Sequence, residues 1–314
     1  MAIGSIHIDW LSTLALSSKI PPDAAILDLG PQDLWIDREP LSRVARRHAR
    51  SAQEADGIIE NIFGTDPKPK PDAQLAFYSI FGASSYRSLD LADPRSEFAF
   101  DLNFPLPESV GKYDVVTNFG TTEHVFNIGQ AFENVHNLLK VGGLALHSVP
   151  GYAYIDHGFY NVHPTAYLDM AKANEYEIVD FSYVDNINTR MARPIEDKPF
   201  DFATLPIQLR DTDDTHALGT KAALLFYQNL RSEETRHALE KMTGRTTKSA
   251  EKTWFGRAKE PSAPKMPDPT LPIFVVFDLI FVALRRTEKS PDKFVTPIQG
   301  VYAEMRTRNA AVST

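Results

Sequence analysis

Glu123 and His124 are adjacent residues whose side chains suit proton transfer or metal binding. Imidazole titrates near neutral pH, so His124 can take a proton from an O–H or N–H group of a substrate. Metal binding by Glu123, His124 and a third ligand is an alternative, although we assign no metal. The pair also precedes a predicted helix, so a purely structural use at the helix start is a third alternative.

Of the four histidines that follow within forty residues, three fall in patterns that indicate a role. His157, between Asp156 and Gly158 in a polar loop, is our first candidate for a general base, and His124 is the second. His163 precedes Pro164, a residue typical of the first turn of a helix, so helix capping is its alternative role. His147 falls within a strand pattern and is expected in the core. The loop around His157 is rich in aromatic side chains, which form either a substrate wall or loop packing: Tyr152, Tyr154, Phe159 and Tyr160.

The pair at 123–124 follows a strand pattern that begins at Tyr113 and ends at Gly120. Polar residues beyond the carboxyl end of a strand lie where an open α/β sheet places its ligand crevice. A helical pattern follows from about Gln130 to Lys140 and is stopped by the glycine pair 142–143. A second strand pattern covers 144–149. The unit predicts a strand, a polar loop, a helix and a further strand.

Three earlier strand patterns also end in residues that can contact a ligand. The run 24–30 ends at Gly30, where the absence of a side chain lets a ligand approach the backbone. Asp28, in the same run, is either an anchor of the loop or a ligand contact. The run 86–91 carries Asp90, and a carboxylate there can accept from ribose hydroxyls. The run 97–102 carries Asp101, and together these ends describe one groove across the top of a sheet.

Strands that alternate with helices predict a single α/β domain over residues 1–314 with a seven-stranded, mostly parallel sheet. Residues 1–23 are predicted as a helical lead-in, with Trp10, Leu11 and Leu14 as a lid over the cleft. Residues 186–270 are predicted as an insertion before the last strand. The other elements expected are a helix at 41–63, a helix at 73–81, a helix at 165–174, a strand at 177–184 and a last strand at 273–285.

The composition is that of a globular protein, with 43% hydrophobic and 24% charged residues in a chain of 314. The net charge of −8 argues against a global electrostatic grip on nucleic acid. The chain has no cysteine, which excludes disulfides, thiolate catalysis and cysteine-ligated metals. No signal peptide or spanning segment is apparent, so a cytoplasmic location without membrane partners is expected.

The order of these motifs resembles that of the class I S-adenosylmethionine-dependent methyltransferases. The resemblance covers roughly residues 24–184 and a final strand, and it rests on six short segments: Leu-Asp-Leu-Gly30, Ser-Leu-Asp90, Asp101-Leu-Asn103, Tyr-Asp-Val-Val116, Glu-His-Val125 and Leu-Leu-Lys-Val-Gly-Gly143. It implies a Rossmann-like sheet, S-adenosylmethionine as cofactor and a small-molecule methyl acceptor with a reactive oxygen, nitrogen or carbon.

The resemblance also implies roles for individual residues. The turn at Gly30 would hold the methionine part of the cofactor, Asp90 the ribose and Asp101 the adenine, with Leu102 against the adenine ring. Asn118 and Phe119 would line the sulfonium end of the groove.

The chain departs from the family at its first loop, which has one glycine followed by Pro31, a residue without an amide donor. Gln32 is expected to substitute through its side-chain amide. A binding or regulatory protein without turnover is therefore the alternative function. A nicotinamide enzyme is disfavoured because its fingerprint of three spaced glycines is absent.

Overall fold

A seven-stranded sheet between two layers of helices forms the frame of the protein. The computed structural model describes residues 2–151, 157–184 and 279–299. The strands are β1 Ala2–Ile3, β2 Ala24–Leu29, β3 Asp33–Leu34, β4 Ala83–Asp90, β5 Phe98–Ala99, β6 Tyr113–Phe119, β7 Leu139–Pro150, β8 Glu177–Val184 and β9 Leu279–Arg285. The helices are α1 Ser5–Leu16, α2 Arg38–His48, α3 Ala52–Phe63, α4 Gln74–Ser79, α5 Ile128–Leu138 and α6 Pro164–Ala173, with 3₁₀ turns at Glu108–Val110 and Thr122–His124.

The strand order of the main sheet is β5-β4-β2-β6-β7-β9-β8. The first five strands of this order, from β5 at the edge to β7, are parallel to one another. Strand β9 runs antiparallel between β7 and β8. The chain moves from β2 outward to β4 on one side and continues from β6 on the other, so a topological switch point lies between β2 and β6. The Rossmann-like, mostly parallel sheet predicted from the sequence is therefore confirmed. A separate two-stranded sheet pairs β1 with β3.

The two faces of the sheet carry different helices. Helices α1 to α4 pack on the face to which Ile26 and Val115 point, whereas α5 and α6 pack on the opposite face, with Leu27 and Val116. Adjacent residues of a strand point to opposite sides, so the buried runs 24–30 and 113–119 supply both cores at once. No helix among the described residues is long and apolar enough to cross a membrane.

Helix α1 is a layer of the core rather than a lid. Trp10 and Leu11 are each only 1% exposed. The indole Nε1 of Trp10 donates to Asp180 Oδ2 at 2.9 Å, and His7 Nε2 lies 3.0 Å from Ser148 Oγ. These contacts fix the helix on β7 and β8, so the predicted lid function for Trp10, Leu11 and Leu14 does not fit their packing.

Several predicted boundaries differ from those observed. The helix predicted at 41–63 is two helices, because Ser51 accepts a hydrogen bond from the amide of Glu54 at 3.1 Å and begins α3. The strand predicted at 97–102 keeps only two residues, Phe98–Ala99. The insertion at 186–270, residues 273–278 of the last strand, and Tyr152 and Tyr154 lie outside the described residues.

The glycine pair 142–143 does not end a helix. Helix α5 ends at Leu138, and both glycines lie inside β7. The register between β6 and β7 shifts at this point, and Gly142 has a φ of +82°. A Cβ on Gly143 would lie 2.9 Å from the carbonyl oxygen of Lys140 and 3.1 Å from that of Tyr113. The pair is needed because the strand bulges there against its neighbour.

Asp28 joins three strands and a helix from a fully buried position. Its carboxylate accepts hydrogen bonds from the hydroxyls of Tyr78 in α4 at 2.7 Å, Tyr86 in β4 at 3.0 Å, and Thr117 in β6. Burial raises the pKa of Asp28 from 3.8 to about 6, although the three hydroxyls oppose that shift. Of the two roles left open by the sequence, the contacts favour that of an anchor.

We expect Asp28→Asn to remove a pH dependence of stability. Between about pH 4 and 6 the unfolded chain loses the Asp28 proton while the folded protein keeps it, so the wild type loses stability as the pH rises. Across this pH range the free energy of unfolding of the wild type should fall, relative to that of Asp28→Asn, by on the order of 3 kcal/mol. Urea denaturation of both proteins from pH 4 to pH 7 measures it. Parallel curves for the two proteins would show that Asp28 is already ionised at pH 4 in the folded state.

Candidate functional site

A tight turn at Gly30 brings three strand ends together. Gly30 follows β2 with a φ of +81°, and its amide donates to the carbonyl oxygen of Leu89 at 2.8 Å. A Cβ at this position would lie 3.2 Å from Thr121 Oγ1, 3.5 Å from Asp90 Oδ2 and 3.5 Å from Gln32 Nε2. The missing side chain therefore leaves a small space walled by polar atoms from the ends of β2, β4 and β6. We call this space the groove.

Asp90 presents one free carboxylate oxygen to the groove. Its Oδ1 accepts from the amides of Ala92 and Asp93 at 2.8 and 2.9 Å, which forms the turn after β4. Its Oδ2, the atom facing Gly30, has no hydrogen-bond partner among the described residues. One oxygen thus fixes the side chain while the other stays available to a donor on a ligand.

The single-glycine loop is braced by side chains. Gln32 is buried, and its Nε2 donates to the carbonyl oxygen of Gly30 at 3.0 Å. Its Oε1 is also buried and has no partner among the described residues. Arg95 connects this loop to the turn after β4, donating to Pro31 O at 3.2 Å, Asp33 Oδ1 at 2.7 Å and Asp93 Oδ2 at 2.7 Å. This bridge could not be predicted from the residue pattern, because Arg95 lies outside every predicted strand.

Asp101 and Leu102 follow the short strand β5 at the same edge of the sheet. Asp101 Oδ1 accepts from the backbone and side-chain nitrogens of Asn103 at 2.8 and 2.7 Å. Leu102 is 6% exposed and packs in the core beneath α5. No hydrogen bond joins either residue to Gly30 or Asp90 within the described parts of the chain.

Asn118 and Phe119 lie at the carboxyl end of β6, and both side chains are buried rather than exposed to the groove. Asn118 is fully buried, donating to Thr122 Oγ1 at 2.8 Å and to His147 Nδ1 at 3.0 Å. Its Oδ1 accepts from the amide of Thr122 at 3.0 Å. Phe119 is also fully buried, with its ring beside those of His7 and Trp10. Asn118 therefore shapes the loop after β6, and Phe119 belongs to the core under α1.

Glu123, His124 and His157 form a cluster next to the groove. The 3₁₀ turn that bears Glu123 and His124 begins directly after Thr121, whose hydroxyl walls the groove. Glu123 Oε1 lies 3.9 Å from His124 Nε2 and 3.8 Å from His157 Nε2, and the two rings are 4.9 Å apart between centroids. The structure thus brings together all three residues that the sequence singled out for chemistry.

This cluster is partly shielded from solvent. Glu123 is 0% exposed, and burial raises its pKa from 4.5 to about 7. The His124 side chain is 46% exposed, and its pKa is lowered by partial burial and then by the charge of His157. A buried carboxyl below two accessible imidazoles can exchange protons or bind a cation.

The loop around His157 is held against the Glu123 turn by its backbone. The carbonyl oxygen of Glu123 accepts from the amides of Phe159 and Tyr160 at 2.8 and 3.2 Å. Tyr160 donates its hydroxyl to the carbonyl oxygen of Phe126 at 2.7 Å. Phe126 and Phe159 are 70% and 64% exposed, and their rings meet edge to face. Phe159 was one of the aromatic residues that the sequence indicated for a substrate wall or loop packing. Phe126, its neighbour in the structure, was not predicted.

The other two histidines have structural roles. His163 Nδ1 accepts from the amide of Thr165 at 3.3 Å, which confirms the alternative that it caps α6. His147 is 1% exposed, and burial lowers its pKa to about 3, as expected of a core histidine.

A cleft of about 460 Å³ is lined in part by Arg95. It is also bounded by the loop that carries Trp35 and by the proline-rich segment 67–71. Its volume falls in the range of small-molecule sites. Asp33 and Arg95 belong to both this cleft and the bracing of the Gly30 turn.

No protein-family model and no curated protein matches the chain. Solved structures do match, at low similarity. The 1,6-didemethyltoxoflavin-N1-methyltransferase of Burkholderia thailandensis, crystallised with its named ligand and S-adenosylhomocysteine, is 15% identical over 56% of this chain and 69% of its own, with a TM-score of 0.34.

Two other structures match over more of the chain. The O-methyltransferase of a trans-AT PKS multienzyme of Brevibacillus brevis, in complex with S-adenosyl-L-homocysteine, is 9% identical over 90% of this chain and 72% of its own, with a TM-score of 0.38. The cyclase SpnF is 14% identical over 89% and 80%, with a TM-score of 0.36. At this distance the function has to be inferred from the geometry of the site.

We expect Gly158→Ala to destabilise the protein by about 1–3 kcal/mol through overpacking. The new Cβ would lie 2.9 Å from the carbonyl oxygen of Glu123 and 3.2 Å from its Cγ. Gly57→Ala is the matched control, because a Cβ in the middle of α3 meets nothing within 4 Å and alanine favours a helix by about 1 kcal/mol. Urea denaturation of both variants measures the difference. Equal or raised stability in Gly158→Ala would mean that the His157 loop does not pack on Glu123.

Proposed function

We propose that the protein binds S-adenosylmethionine in the groove and transfers its methyl group to a small-molecule acceptor. The observation that carries the proposal is the Oδ2 of Asp90, which has no hydrogen-bond partner in the described part of the chain and faces Gly30 at the carboxyl edge of the sheet beside the switch point. Ligands of open α/β sheets bind at such an edge, and a carboxylate in this position suits a ribose diol.

The residues present fit such a cofactor. The space that a Cβ at Gly30 would fill allows a ligand to approach the backbone closely. Asp90 would hold the ribose, and Asp101 and Leu102, at the same edge, would hold the adenine. The cofactor supplies an electrophilic methyl group on a sulfonium, so what the chain has to provide is position and orientation.

The cluster of Glu123, His124 and His157 is proposed to face the acceptor. The aromatic pair of Phe126 and Phe159 offers an apolar surface beside it. His157 is the first choice for the group that takes a proton from the acceptor, and His124 is the second. Glu123 lies within 4 Å of both imidazoles.

A binding protein without turnover is the second candidate, and the first loop favours it. Pro31 lacks an amide donor, and the Gln32 amide nitrogen already donates to Gly30 O. The loop therefore offers few free donors to the methionine part of a cofactor. Detection of S-adenosylhomocysteine formation with any acceptor in a panel of phenols, amines and acids separates the two candidates.

Other expectations from the sequence stay predictions. These are a single domain with an insertion at 186–270, the absence of nucleic-acid and membrane partners, and a cytoplasmic location.

We expect Asp90→Asn to weaken binding of S-adenosylmethionine and S-adenosylhomocysteine by roughly ten-fold to a hundred-fold, because charge-assisted hydrogen bonds are lost. Asparagine keeps one acceptor oxygen for the amides of Ala92 and Asp93, so the turn survives. Calorimetry measures the affinities, with Glu108→Gln as a control for loss of an exposed carboxylate at the opposite edge of the sheet. If the wild type binds neither compound, the proposed function is wrong. If Asp90→Asn binds as the wild type does, the ribose lies elsewhere.

We expect His157→Ala to lower the single-turnover rate by about 10²–10⁴-fold once an acceptor is found. Cofactor affinity should stay near that of the wild type, because the groove is built from other residues. His124→Ala is compared in the same assay, and His163→Ala serves as the control for loss of an accessible histidine. A normal rate in His157→Ala would remove this residue from the reaction and would leave His124 or positioning alone.

A further inference from the structure

The carboxylate of Glu123 is buried without a hydrogen bond. Neither Oε1 nor Oε2 has a hydrogen-bond partner among the described residues, although the side chain is 0% exposed and two imidazoles lie 3.8 and 3.9 Å from Oε1. Tyr167, a buried neighbour whose pKa is raised by burial and then by the charge of Glu123, also has an unpartnered hydroxyl. Buried charges in proteins are normally paired or coordinate a metal, because an isolated one is costly.

The side-chain nitrogens nearest to this carboxylate belong to His124 and His157, and imidazole nitrogen is a common metal ligand. We propose that Glu123, His124 and His157 together bind one divalent transition-metal cation, of the class of Zn²⁺, Co²⁺ or Fe²⁺. Their candidate ligand atoms all lie within 4.8 Å of one another. The cation would supply a positive charge that balances the ionised carboxylate of Glu123.

The separations fit a cation after a small closure. Zinc binds imidazole nitrogen and carboxylate oxygen at about 2.0–2.2 Å, so two ligands on a tetrahedral ion lie about 3.4 Å apart. Glu123 Oε1 is 3.8 Å from His157 Nε2 and 3.9 Å from His124 Nε2. Each of these two pairs has to close by about half an ångström, and the two imidazole nitrogens, which lie within 4.8 Å of each other, by at most about 1.4 Å. Both imidazoles are partly exposed, so rotation of their side chains can provide this movement.

The backbone presets the three ligands before any cation arrives. The amides of Phe159 and Tyr160 bind the carbonyl oxygen of Glu123, which ties the His157 loop to the turn with Glu123 and His124. Gly158 makes this approach feasible, because a side chain there would collide with Glu123. A site whose ligands are held in place binds at a lower entropic cost.

The ligand set selects the type of cation. Two imidazole nitrogens and one carboxylate oxygen suit Zn²⁺, Fe²⁺ and their neighbours, whereas Mg²⁺ and Ca²⁺ prefer oxygen ligands. Three protein ligands also leave coordination positions open, as in catalytic rather than structural metal sites. Those positions would lie on the accessible side of the imidazoles. In that arrangement the two histidines would act on an acceptor as metal ligands rather than as free bases.

The test uses the full-length, untagged protein freed of metal by a chelator. Zn²⁺ is titrated by calorimetry and Co²⁺ by its visible absorption, with Mg²⁺ as the comparison. We expect one bound Co²⁺ that Zn²⁺ displaces. His157→Ala and Glu123→Gln should each lower the affinity by at least about ten-fold, whereas His163→Ala and Glu108→Gln should leave it unchanged.

Thermal unfolding gives a second readout that does not need an acceptor. Without metal, Glu123→Gln should be as stable as the wild type or more stable, because it removes an uncompensated buried charge. Zn²⁺ should then raise the melting temperature of the wild type but not that of Glu123→Gln. Circular dichroism confirms that each variant is folded.

Each outcome decides the proposal. It is overturned if the folded wild type binds neither Co²⁺ nor Zn²⁺, if the variants bind as tightly as the wild type, or if Mg²⁺ binds equally well. In the first case Glu123 is neutral or hydrated beside Tyr167. Binding of S-adenosylmethionine is measured separately on the metal-free protein, so metal binding and methyl transfer can fail independently.

Discussion

The position of the groove depends on the buried carboxylate of Asp28. Strand β2 is central in the sheet, and Asp28 is tied by hydroxyl groups to both neighbouring strands and to α4. Gly30 follows two residues later, where the same three strands end. A carboxylate that accepts three hydrogen bonds below the edge of the sheet thus fixes the relative heights of the strand ends. The few ångströms between Gly30, Asp90 and Thr121 follow from that alignment.

The groove and the histidine cluster are parts of one loop system. The hydroxyl of Thr121 borders the groove. Glu123 and His124, two and three residues later, carry the carboxylate and the first imidazole of the cluster. Asn118 holds this loop from within the core by accepting its amide hydrogen bonds. Asn118 therefore supports the site from within the core. Glu123 is buried without a hydrogen-bond partner among the residues that the structure describes, and such an arrangement costs stability and is typical of functional sites.

The fold could be predicted because its strands are short buried runs that end in glycine or acidic residues. The chemical residues could be named by type, and the structure places Glu123, His124 and His157 together. Their environment could not be predicted, because it depends on the loop of residues 157–160 folding back onto the Glu123 turn, where the amides of residues 159 and 160 donate to the Glu123 carbonyl oxygen. The burial of the Asn118 and Phe119 side chains could not be predicted, because the alternation of β6 points each of them into one of the two cores. The glycine pair in β7 resembles a helix stop, and only its pairing with β6 shows the bulge.

The late position of strand β9 in the sequence affects how the sheet forms during synthesis. It pairs along its whole length with both β7 and β8, although β8 ends at Val184 and β9 begins only at Leu279. A nascent chain that has emerged as far as β8 therefore has two strands whose shared partner is still unsynthesised. Their unpaired edges can associate with other chains. The order of synthesis thus makes β9 the strand that closes the sheet, and a ribosome that stops before it would leave a fragment prone to aggregation.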